Sequence, residues 1–246
     1  MALLELKGVA KHFGAIEALA GVDLAFQPGE IVGLMGDNGA GKSTLVKIIA
    51  GNFPPSAGEL FMDGKPVVFG KPIEARQQGI EVVYQDLALC NNLSASANVF
   101  LAREDKVRLW PFWLMRDRKM YTRAAELFKE LKSETRPADL VRQMSGGQRQ
   151  AVAIARTRLS RAKLLVLDEP TAAISVRQVA EVLDLIRRLR DQGIGVVLIS
   201  HRMPDVFSVA DRVVVLRRGR KVADKPVKAT SAEEVTGLIT GAIHVA

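Results

Sequence analysis

The sequence is poor in the residues on which several functional classes depend. It has a single cysteine, Cys90, in 246 residues, so an internal disulfide is excluded. One cysteine and three histidines also fall short of the ligand set of a usual structural zinc site. We therefore expect a reducing compartment.

Long apolar runs and aromatic residues are scarce as well. No stretch approaches the roughly 20 apolar residues that a membrane-spanning helix needs. Charged residues at positions 5, 7 and 11 interrupt the start, where a signal peptide requires an apolar run. Aromatic residues make up only 5% of the chain, which disfavours stacking on nucleic-acid bases even though the net charge is +8. The densest basic cluster, 217–221, surrounds a glycine and predicts an exposed hairpin tip, so no nucleic-acid partner is expected.

What is present predicts an α/β protein. With 48% hydrophobic and 25% charged residues, the composition is that of an ordinary soluble domain, and the length fits one large domain or one domain with an insert. Asp63-Gly64 between two apolar segments predicts a β-hairpin. Short apolar runs separated by a helical pattern at 176–192 predict a mainly parallel sheet. The runs are 31–35, 80–84, 164–167 and 196–199.

A segment from about 87 to 161 has a different pattern. Its charged content is higher, and the stretch KMYTRAAELFKELKS at 119–133 places Ala124, Leu127, Phe128 and Leu131 at helical spacing. We predict a mostly helical insert here.

A glycine-rich loop at 36–44, GDNGAGKST, predicts a phosphate site. It follows a buried strand and precedes an apolar helix, so backbone N–H groups at the helix start would surround an anion. Lys42 would contact the β- and γ-phosphates and Ser43 would bind Mg²⁺. The competing dinucleotide loop would need glycine where Thr44 stands. The predicted nucleotide contacts are Gly36, Asp37, Asn38, Gly39, Ala40, Gly41, Lys42, Ser43 and Thr44.

Polar side chains follow three other predicted strands. LLVLDEP places Asp168 and Glu169 at a strand end, where the first would bind Mg²⁺ and the second would activate the attacking water. His201 and Gln85 end two further strands and would reach the same edge of a parallel sheet, Gln85 touching Mg²⁺ or water and His201 the γ-phosphate or water. Taken alone, each of these residues is more typical of a solvated loop or a structural contact. The phosphate loop favours the catalytic interpretation.

A second anion site is predicted at MSGGQRQ, residues 144–150. Ser145 is a favourable helix N-cap, and Gly146, Gly147 and Gln148 follow it at the start of the helix. This loop lies about a hundred residues from the first. One subunit cannot hold the same phosphate from both sides if the insert keeps the loops apart.

Six elements in this order resemble the nucleotide-binding subunit of an ABC transporter. They are Phe13 as the adenine-stacking aromatic, GDNGAGKS as Walker A, Gln85 as the Q-loop, SGGQ as the signature, LLVLDE as Walker B and His201 as the switch histidine.

The resemblance spans about residues 3–223. It implies a P-loop NTPase with a RecA-like, mainly parallel core, an antiparallel β-subdomain and an inserted helical subdomain. The expected division is one ABC ATPase domain, 1–246, with the core and β-subdomain in 1–86 and 162–246 and the helical subdomain in 87–161. The resemblance also implies ATP and Mg²⁺ as ligands, and a head-to-tail homodimer in which Ser145–Gln148 of one copy closes over ATP held by the other.

Two positions depart from the family pattern. Met144 replaces the usual leucine before SGGQ, a change between similar apolar volumes. Ser175, in TAAISV at 171–176, stands where many members have the D-loop aspartate, and it is an interface candidate. With NLSASANVFLARE at 92–104 and the stretch 198–222, this serine resembles the ATPases of monosaccharide importers, most of all the single-domain fructose type.

The resemblance implies a peripheral subunit on the cytoplasmic face of the inner membrane. Its partners would be a membrane permease, a second copy of the chain and, indirectly, an external sugar-binding protein. The alternatives are an ABC-type ATPase acting on DNA or ribosomes, which needs coiled coils or a second domain, and a small-molecule kinase, which leaves SGGQ without a role. WPFWLM at 110–115 holds both tryptophans; core packing is the default interpretation, and a groove for a permease helix is the functional one.

Overall fold

The computed structural model describes residues 2–172 and 174–243. The strands are β1 (Leu4–Phe13), β2 (Ile16–Phe26), β3 (Ile31–Met35), β4 (Ala57–Met62), β5 (Lys65–Val67), β6 (Ile80–Val83), β7 (Lys106–Leu109), β8 (Phe112–Met115), β9 (Leu164–Asp168), β10 (Gly195–Ile199), β11 (Arg212–Arg217) and β12 (Arg220–Pro226). The helices are α1 (Lys42–Ile49), α2 (Pro72–Gln77), α3 (Ala95–Val99), α4 (Asp117–Glu130), α5 (Gly146–Arg158), α6 (Val176–Asp191), α7 (Met203–Val209) and α8 (Ala232–Thr240).

A six-stranded sheet forms the centre, in the order β12-β11-β3-β10-β9-β6. All neighbours are parallel except β11 and β12, which form an antiparallel hairpin. Strand β9 shows why its sequence is continuously apolar: Leu165 and Leu167 pack into one core, and Leu164 and Val166 into another on the opposite face. The predicted mainly parallel α/β fold is therefore confirmed.

A second, antiparallel sheet of order β2-β1-β4-β5 packs beside the first. Its core side contains Val22, Leu24 and Phe26 of β2, which are buried and alternate with less buried residues. The β4–β5 hairpin turns at Asp63-Gly64, as predicted. The turn between β11 and β12 falls at Arg218-Gly219, so the basic hairpin tip is confirmed too.

Between residues 87 and 161 the chain is mostly helical, with α3, α4 and α5 packed together. The apolar stripe of α4 (Ala124, Leu127 and Phe128) is buried, as its spacing predicts. One hairpin, β7–β8, interrupts the helices and was not predicted. The boundaries at 86/87 and 161/162 stay a proposal.

The expectation that WPFWLM packs in the core is wrong. Trp110, Phe112 and Trp113 are 80%, 69% and 63% exposed, and Leu114 and Met115 are exposed as well. The physical reason is that this segment forms half of a two-stranded ribbon, which has no third layer to cover it.

In the part of the chain that the structure describes, no helix combines the length and apolar character needed to cross a membrane.

Candidate active site

The glycine-rich loop connects β3 to α1 and is tightly constrained. Gly36 has φ 152°, and a Cβ there would stand 2.4 Å from the carbonyl oxygen of Leu216. Gly41, the N-cap of α1, has φ 101°, and a Cβ there would stand 2.8 Å from the carbonyl oxygen of Ala18. Because the obstacles are backbone atoms, neither position accepts a side chain. The loop thus keeps its backbone open toward the cleft and pressed against β2 and β11.

Lys42 lies across the inside of this loop. Its ammonium donates hydrogen bonds to the carbonyl oxygens of Gly36 at 2.6 Å and Asp37 at 2.9 Å. Burial lowers the pKa of Lys42, while the carboxylates of Glu169, Asp37 and Asp168 act in the opposite direction. A partly buried cation held by neutral carbonyls is suited to donate hydrogen bonds to phosphate oxygens.

Two acids stand at the end of β9. Asp168 pairs in register with Ile199 of β10, and the next N–H, that of Glu169, donates to the carbonyl oxygen of Ile199 at 2.9 Å. Glu169 has a left-handed backbone, with φ 51°. Backbone strain of this kind is common where a side chain is aimed at a functional cleft.

His201 fixes the Glu169 carboxylate. Its Nδ1 lies 2.9 Å from Oε1 of Glu169, and its backbone N–H donates to the same oxygen at 3.1 Å. Oε2 of Glu169 is buried and has no hydrogen-bond partner among the described residues. A buried acceptor of this kind fits a water molecule or a proton to be received.

The electrostatics at this strand end favour a cation. Burial, followed by the charge of Glu169, raises the pKa of Asp168, and Lys42 opposes this rise. Burial also raises the pKa of Tyr84, and Asp168 adds to the rise. No group of three or more His, Cys, Asp or Glu side chains in the described residues could hold a metal. The oxygen donors of Ser43, Gln85 and Asp168 nevertheless fit Mg²⁺, which takes few protein ligands and shares the rest with water and phosphate.

The loop, the acids and His201 line one cleft of about 800 Å³. Ile16, Glu17 and Ala18 line it too, and the sequence offered no motif by which to find them. The predicted residues that the fold brings together here are Gly36, Asp37, Asn38, Gly39, Ala40, Gly41, Lys42, Ser43, Thr44, Gln85, Asp168, Glu169 and His201.

Phe13 lies outside the lining of this cleft. Its ring packs edge-on against Phe53, with centroids 5.5 Å apart, and its cross-strand neighbour Ile16 is the residue that reaches the cleft. Phe13 therefore stands at the rim, and its stacking on adenine stays a prediction.

The SGGQ loop opens on a different cavity of about 510 Å³, which shares no described lining residue with the cleft. Ser145 caps α5: its hydroxyl accepts from the N–H of Gln148 at 3.2 Å, and its own N–H donates to the Gln148 side chain at 2.9 Å. Ser175 caps α6 in the same way and lines the same cavity. Ala173, in the predicted D-loop, lies outside the described residues.

The SGGQ loop and the D-loop of one chain touch. A Cβ added at Gly146 would stand 2.3 Å from Cγ2 of Ile174, so only glycine fits there without displacing the isoleucine. At Gly147 the nearest atom is the flexible carboxylate of Glu181, at 3.3 Å.

Two contacts around the site were not predicted. The hydroxyl of Thr171 donates to Asp205 of α7 at 2.6 Å, joining the end of β9 to the segment after His201. The guanidinium of Arg156 on α5 donates to the carbonyl oxygen of Ala88, which tethers the chain just after Gln85 to the helical part. The only sequence signal is the position of Thr171 after the DEP motif.

Comparisons with known proteins point to one family. A family model described as ABC transporter matches residues 19–172. The chain is 44% identical to the xylose/arabinose import ATP-binding protein XylG of Sulfolobus acidocaldarius, over 97% of this chain and 94% of that protein. It is 42% identical to the fructose import ATP-binding protein FrcA of Rhizobium meliloti, over 98% of this chain and 94% of that protein. With the ribose import ATP-binding protein RbsA 2 of Escherichia coli O157:H7 the identity is 40%, and this chain spans 46% of that protein's length.

Solved structures show the same fold. A nucleotide-free ATP-binding cassette from an ABC transporter matches with a TM-score of 0.83 at 24% identity, over 98% of this chain and 96% of that one. The cassette MJ0796, solved as a dimer in a post-hydrolysis state bound to ADP and Pi, matches with a TM-score of 0.74 at 27% identity, over 91% of this chain and 98% of that one. The family model and the relatives therefore lead to the same conclusion as the fold. The chain belongs to the ABC transporter family, as one of its ATP-hydrolysing subunits.

Proposed function

We propose that this chain, working as a homodimer at the cytoplasmic face of a membrane, hydrolyses ATP to energise import of a monosaccharide by a membrane permease. The observation that carries the proposal is the pair formed by Glu169 and His201, 2.9 Å apart, in the same cleft as Lys42 and Asp168. A water activated beside a phosphate loop is the chemistry of ATP hydrolysis.

The polar residues of the cleft can then be assigned roles in hydrolysis. Oε1 of Glu169 is already held by His201, so its free Oε2 is the atom positioned to accept the proton of the attacking water. Lys42 exchanges its bonds to loop carbonyls for bonds to phosphate oxygens. Ser43, Gln85 and Asp168 would hold Mg²⁺, which when bound neutralises charge on the phosphates.

The separate SGGQ cavity supports the homodimer. Ser145 and the start of α5 line a cavity that shares no described lining residue with the cleft that holds Lys42, so a phosphate bound in that cleft lies outside the SGGQ cavity of the same chain. A second copy, arranged head to tail, would place them over its nucleotide. The similar cassette MJ0796 was solved as a dimer, which supports a dimer of this chain as well.

The class of sugar follows from the relatives rather than from the site. The three named relatives are import proteins for xylose or arabinose, for fructose and for ribose. Import of fructose or a related monosaccharide is therefore the proposed function, with selectivity set by the permease and an external binding protein. Stimulation of ATP hydrolysis by one sugar, in membranes containing all components, would identify the substrate.

The replacement Glu169→Gln tests the catalytic assignment. Its amide oxygen can still accept the backbone N–H of His201, but the basic carboxylate oxygen is lost, so we expect ATP hydrolysis to fall by a factor on the order of a hundred to ten thousand. ATP binding should persist, and closed dimers should accumulate on gel filtration with ATP. Glu126→Gln, on the exposed side of α4, is the matched control and should hydrolyse ATP normally. Near-normal turnover in Glu169→Gln would show that another group activates the water.

A further inference from the structure

The β7–β8 ribbon, residues 106–115, is an exposed apolar surface that ATP hydrolysis does not use. We call it the tryptophan hairpin. Its side chains from Trp110 to Met115 are exposed on both faces, and both tryptophans of the chain lie in it. Large apolar side chains that are exposed next to one another mark an interaction surface.

The hairpin is firmly attached at its base. The guanidinium of Arg103 donates to the buried carboxylate of Glu81 at 2.9 Å and to Ser160 at 2.8 Å, which ties the start of the hairpin to the central sheet. At the other end, the N–H of Arg116 donates to the carbonyl oxygen of Asp105 at 2.9 Å, and the ammonium of Lys119 lies 2.6 Å from the Asp105 carboxylate. The apolar tip is therefore held out from the protein at a defined position.

The charge of the hairpin has one sign. Residues 106–116 contain three cations, Lys106, Arg108 and Arg116, and no carboxylate. Lys106 lies 3.4 Å from Glu104 and Arg116 lies 3.9 Å from Asp105, the two acids just before the hairpin, so Arg108 is the cation of interest. The guanidinium of Arg108 lies 4.9 Å from the ring centre of Trp110 and 5.9 Å from that of Trp113. Among the described residues it has no carboxylate within ion-pair distance. A partner that covers the apolar side chains and brings negative charge to Arg108 would complement this surface.

The strand register shows that one flat partner surface would not suffice. Trp113 and Met115 pair with Arg108 and Lys106, and the intervening Leu114 points to the opposite face of the ribbon. Apolar side chains are thus exposed on both faces of the ribbon. A partner that removes all of them from water has to surround the tip rather than cover one face. The interfacial layer of a bilayer does so, and there tryptophan rings and arginine side chains are both favoured.

We propose that the tryptophan hairpin docks on an anionic phospholipid surface, with Arg108 against lipid phosphates and the rings of Trp110 and Trp113 at headgroup depth. The contact needs neither nucleotide nor permease. It goes beyond the proposed function, and either could fail without the other.

Intrinsic fluorescence tests the contact directly, because the only two tryptophans are in the hairpin. The wild-type protein, without nucleotide, is titrated with phosphatidylcholine vesicles containing about one-third phosphatidylglycerol. We expect a saturable blue shift of the emission, and none with vesicles of phosphatidylcholine alone. Absence of the shift with the anionic vesicles would overturn the proposal.

Vesicle flotation of variants supplies the second measurement. We expect Arg108→Gln to weaken binding about five-fold, the loss of one cation at the surface. The double variant Trp110→Ser/Trp113→Ser should abolish it. Lys65→Gln and Val68→Ser, exposed in the β4–β5 region, are the matched controls and should bind like wild type.

ATP hydrolysis in solution separates this proposal from the catalytic one. All four variants should hydrolyse ATP normally, whereas Glu169→Gln should bind vesicles normally. Equal losses of vesicle binding in the controls and the hairpin variants would overturn the proposal. So would hairpin variants that bind vesicles normally but no longer co-purify with a candidate permease, since the surface would then belong to a protein partner.

Discussion

At the scale of single residues, the two acids at the end of β9 differ in the contacts that stabilise their charge. The carboxylate of Glu169 accepts a hydrogen bond from the backbone N–H of His201 and lies 2.9 Å from its ring Nδ1. Asp168 is partly buried beside the charge of Glu169, and both effects raise its pKa above the ordinary value of 3.8. The ionised form of Asp168 therefore lowers the free energy of unfolding of the protein until a cation binds. Destabilising groups of this kind are common at functional sites.

The replacement Asp168→Asn is expected to stabilise the protein when Mg²⁺ and nucleotide are absent. A raised carboxyl pKa means that the folded state holds its proton more tightly, so stability falls as the pH rises from 3.8 through the folded-state pKa. Asparagine removes this penalty. In EDTA, the Tm of the variant minus that of wild type should therefore increase between about pH 4 and about pH 7. Mg²⁺ with ATP should raise the Tm of wild type more than that of the variant. A Tm difference independent of pH would contradict the electrostatic argument.

Most of the cleft could be predicted at this scale. Asp168 ends a short buried strand, and Gln85 and His201 each follow one. The carboxyl ends of parallel strands meet at one edge of the sheet, so these side chains could be expected in one cleft. The bonds from Thr171 to Asp205 and from Arg156 to Ala88 could not be predicted, because they join residues 34 and 68 positions apart that carry no shared pattern.

At the scale of elements, the start of α5 is fitted against the D-loop before α6. Gly146 leaves no room for a methyl group beside Ile174, whose branched side chain has little freedom to turn away. At Gly147, one residue on, the nearest atom is a carboxylate oxygen of Glu181 at 3.3 Å, and Gln178 stands at an ordinary van der Waals distance of 3.6 Å. The two glycines of SGGQ are therefore constrained differently.

The replacement Gly146→Ala should lower stability by about 1 to 3 kcal/mol through overpacking. In a chain of this size that corresponds to roughly 2 to 4 °C of Tm per kcal/mol. Gly147→Ala is the matched control and should change Tm less, because only a mobile carboxylate has to shift. Adding Ile174→Ala to Gly146→Ala should recover the loss, and Tm values of the four combinations give the coupling. Additive effects of the two replacements would show that the clash is relieved elsewhere.

The tryptophan hairpin shows where sequence patterns misled at this scale. Its four-residue strands lie in a segment whose charge and spacing are typical of helices. The alternation of charged and apolar residues in Lys106–Leu109 was the one available signal. Whether the apolar partner strand is buried depends on a third layer, and local sequence does not encode that layer.

At the scale of the whole molecule, one chain carries two halves of different sites. Lys42 and Glu169 lie in the cleft, and Ser145 lies in the separate cavity. If the proposed homodimer is correct, two chains disabled in different halves should complement each other.

Mixing Lys42→Ala with Ser145→Arg tests this arrangement. Each variant alone should be inactive, Lys42→Ala through lost nucleotide affinity and Ser145→Arg with ATP binding intact. In the mixed dimer one of the two sites is intact, so random mixing should restore about a quarter of the wild-type sites. A chain with both replacements, mixed with Lys42→Ala, is the control and should stay inactive. Full activity of either single variant, or of a monomer, would contradict the shared site.

The contact between Gly146 and Ile174 has a further meaning in such a dimer. Ile174 lies five residues after Glu169, and Gly146 belongs to the loop that would face the partner's nucleotide. Hydrolysis at one ATP site could thus shift the loop that contacts the other ATP. A coupling free energy between the two sites of this kind is the physical basis of cooperativity. Wild-type hydrolysis should then depend on ATP with a Hill coefficient above one, and shortening Ile174 to alanine should make the two sites independent.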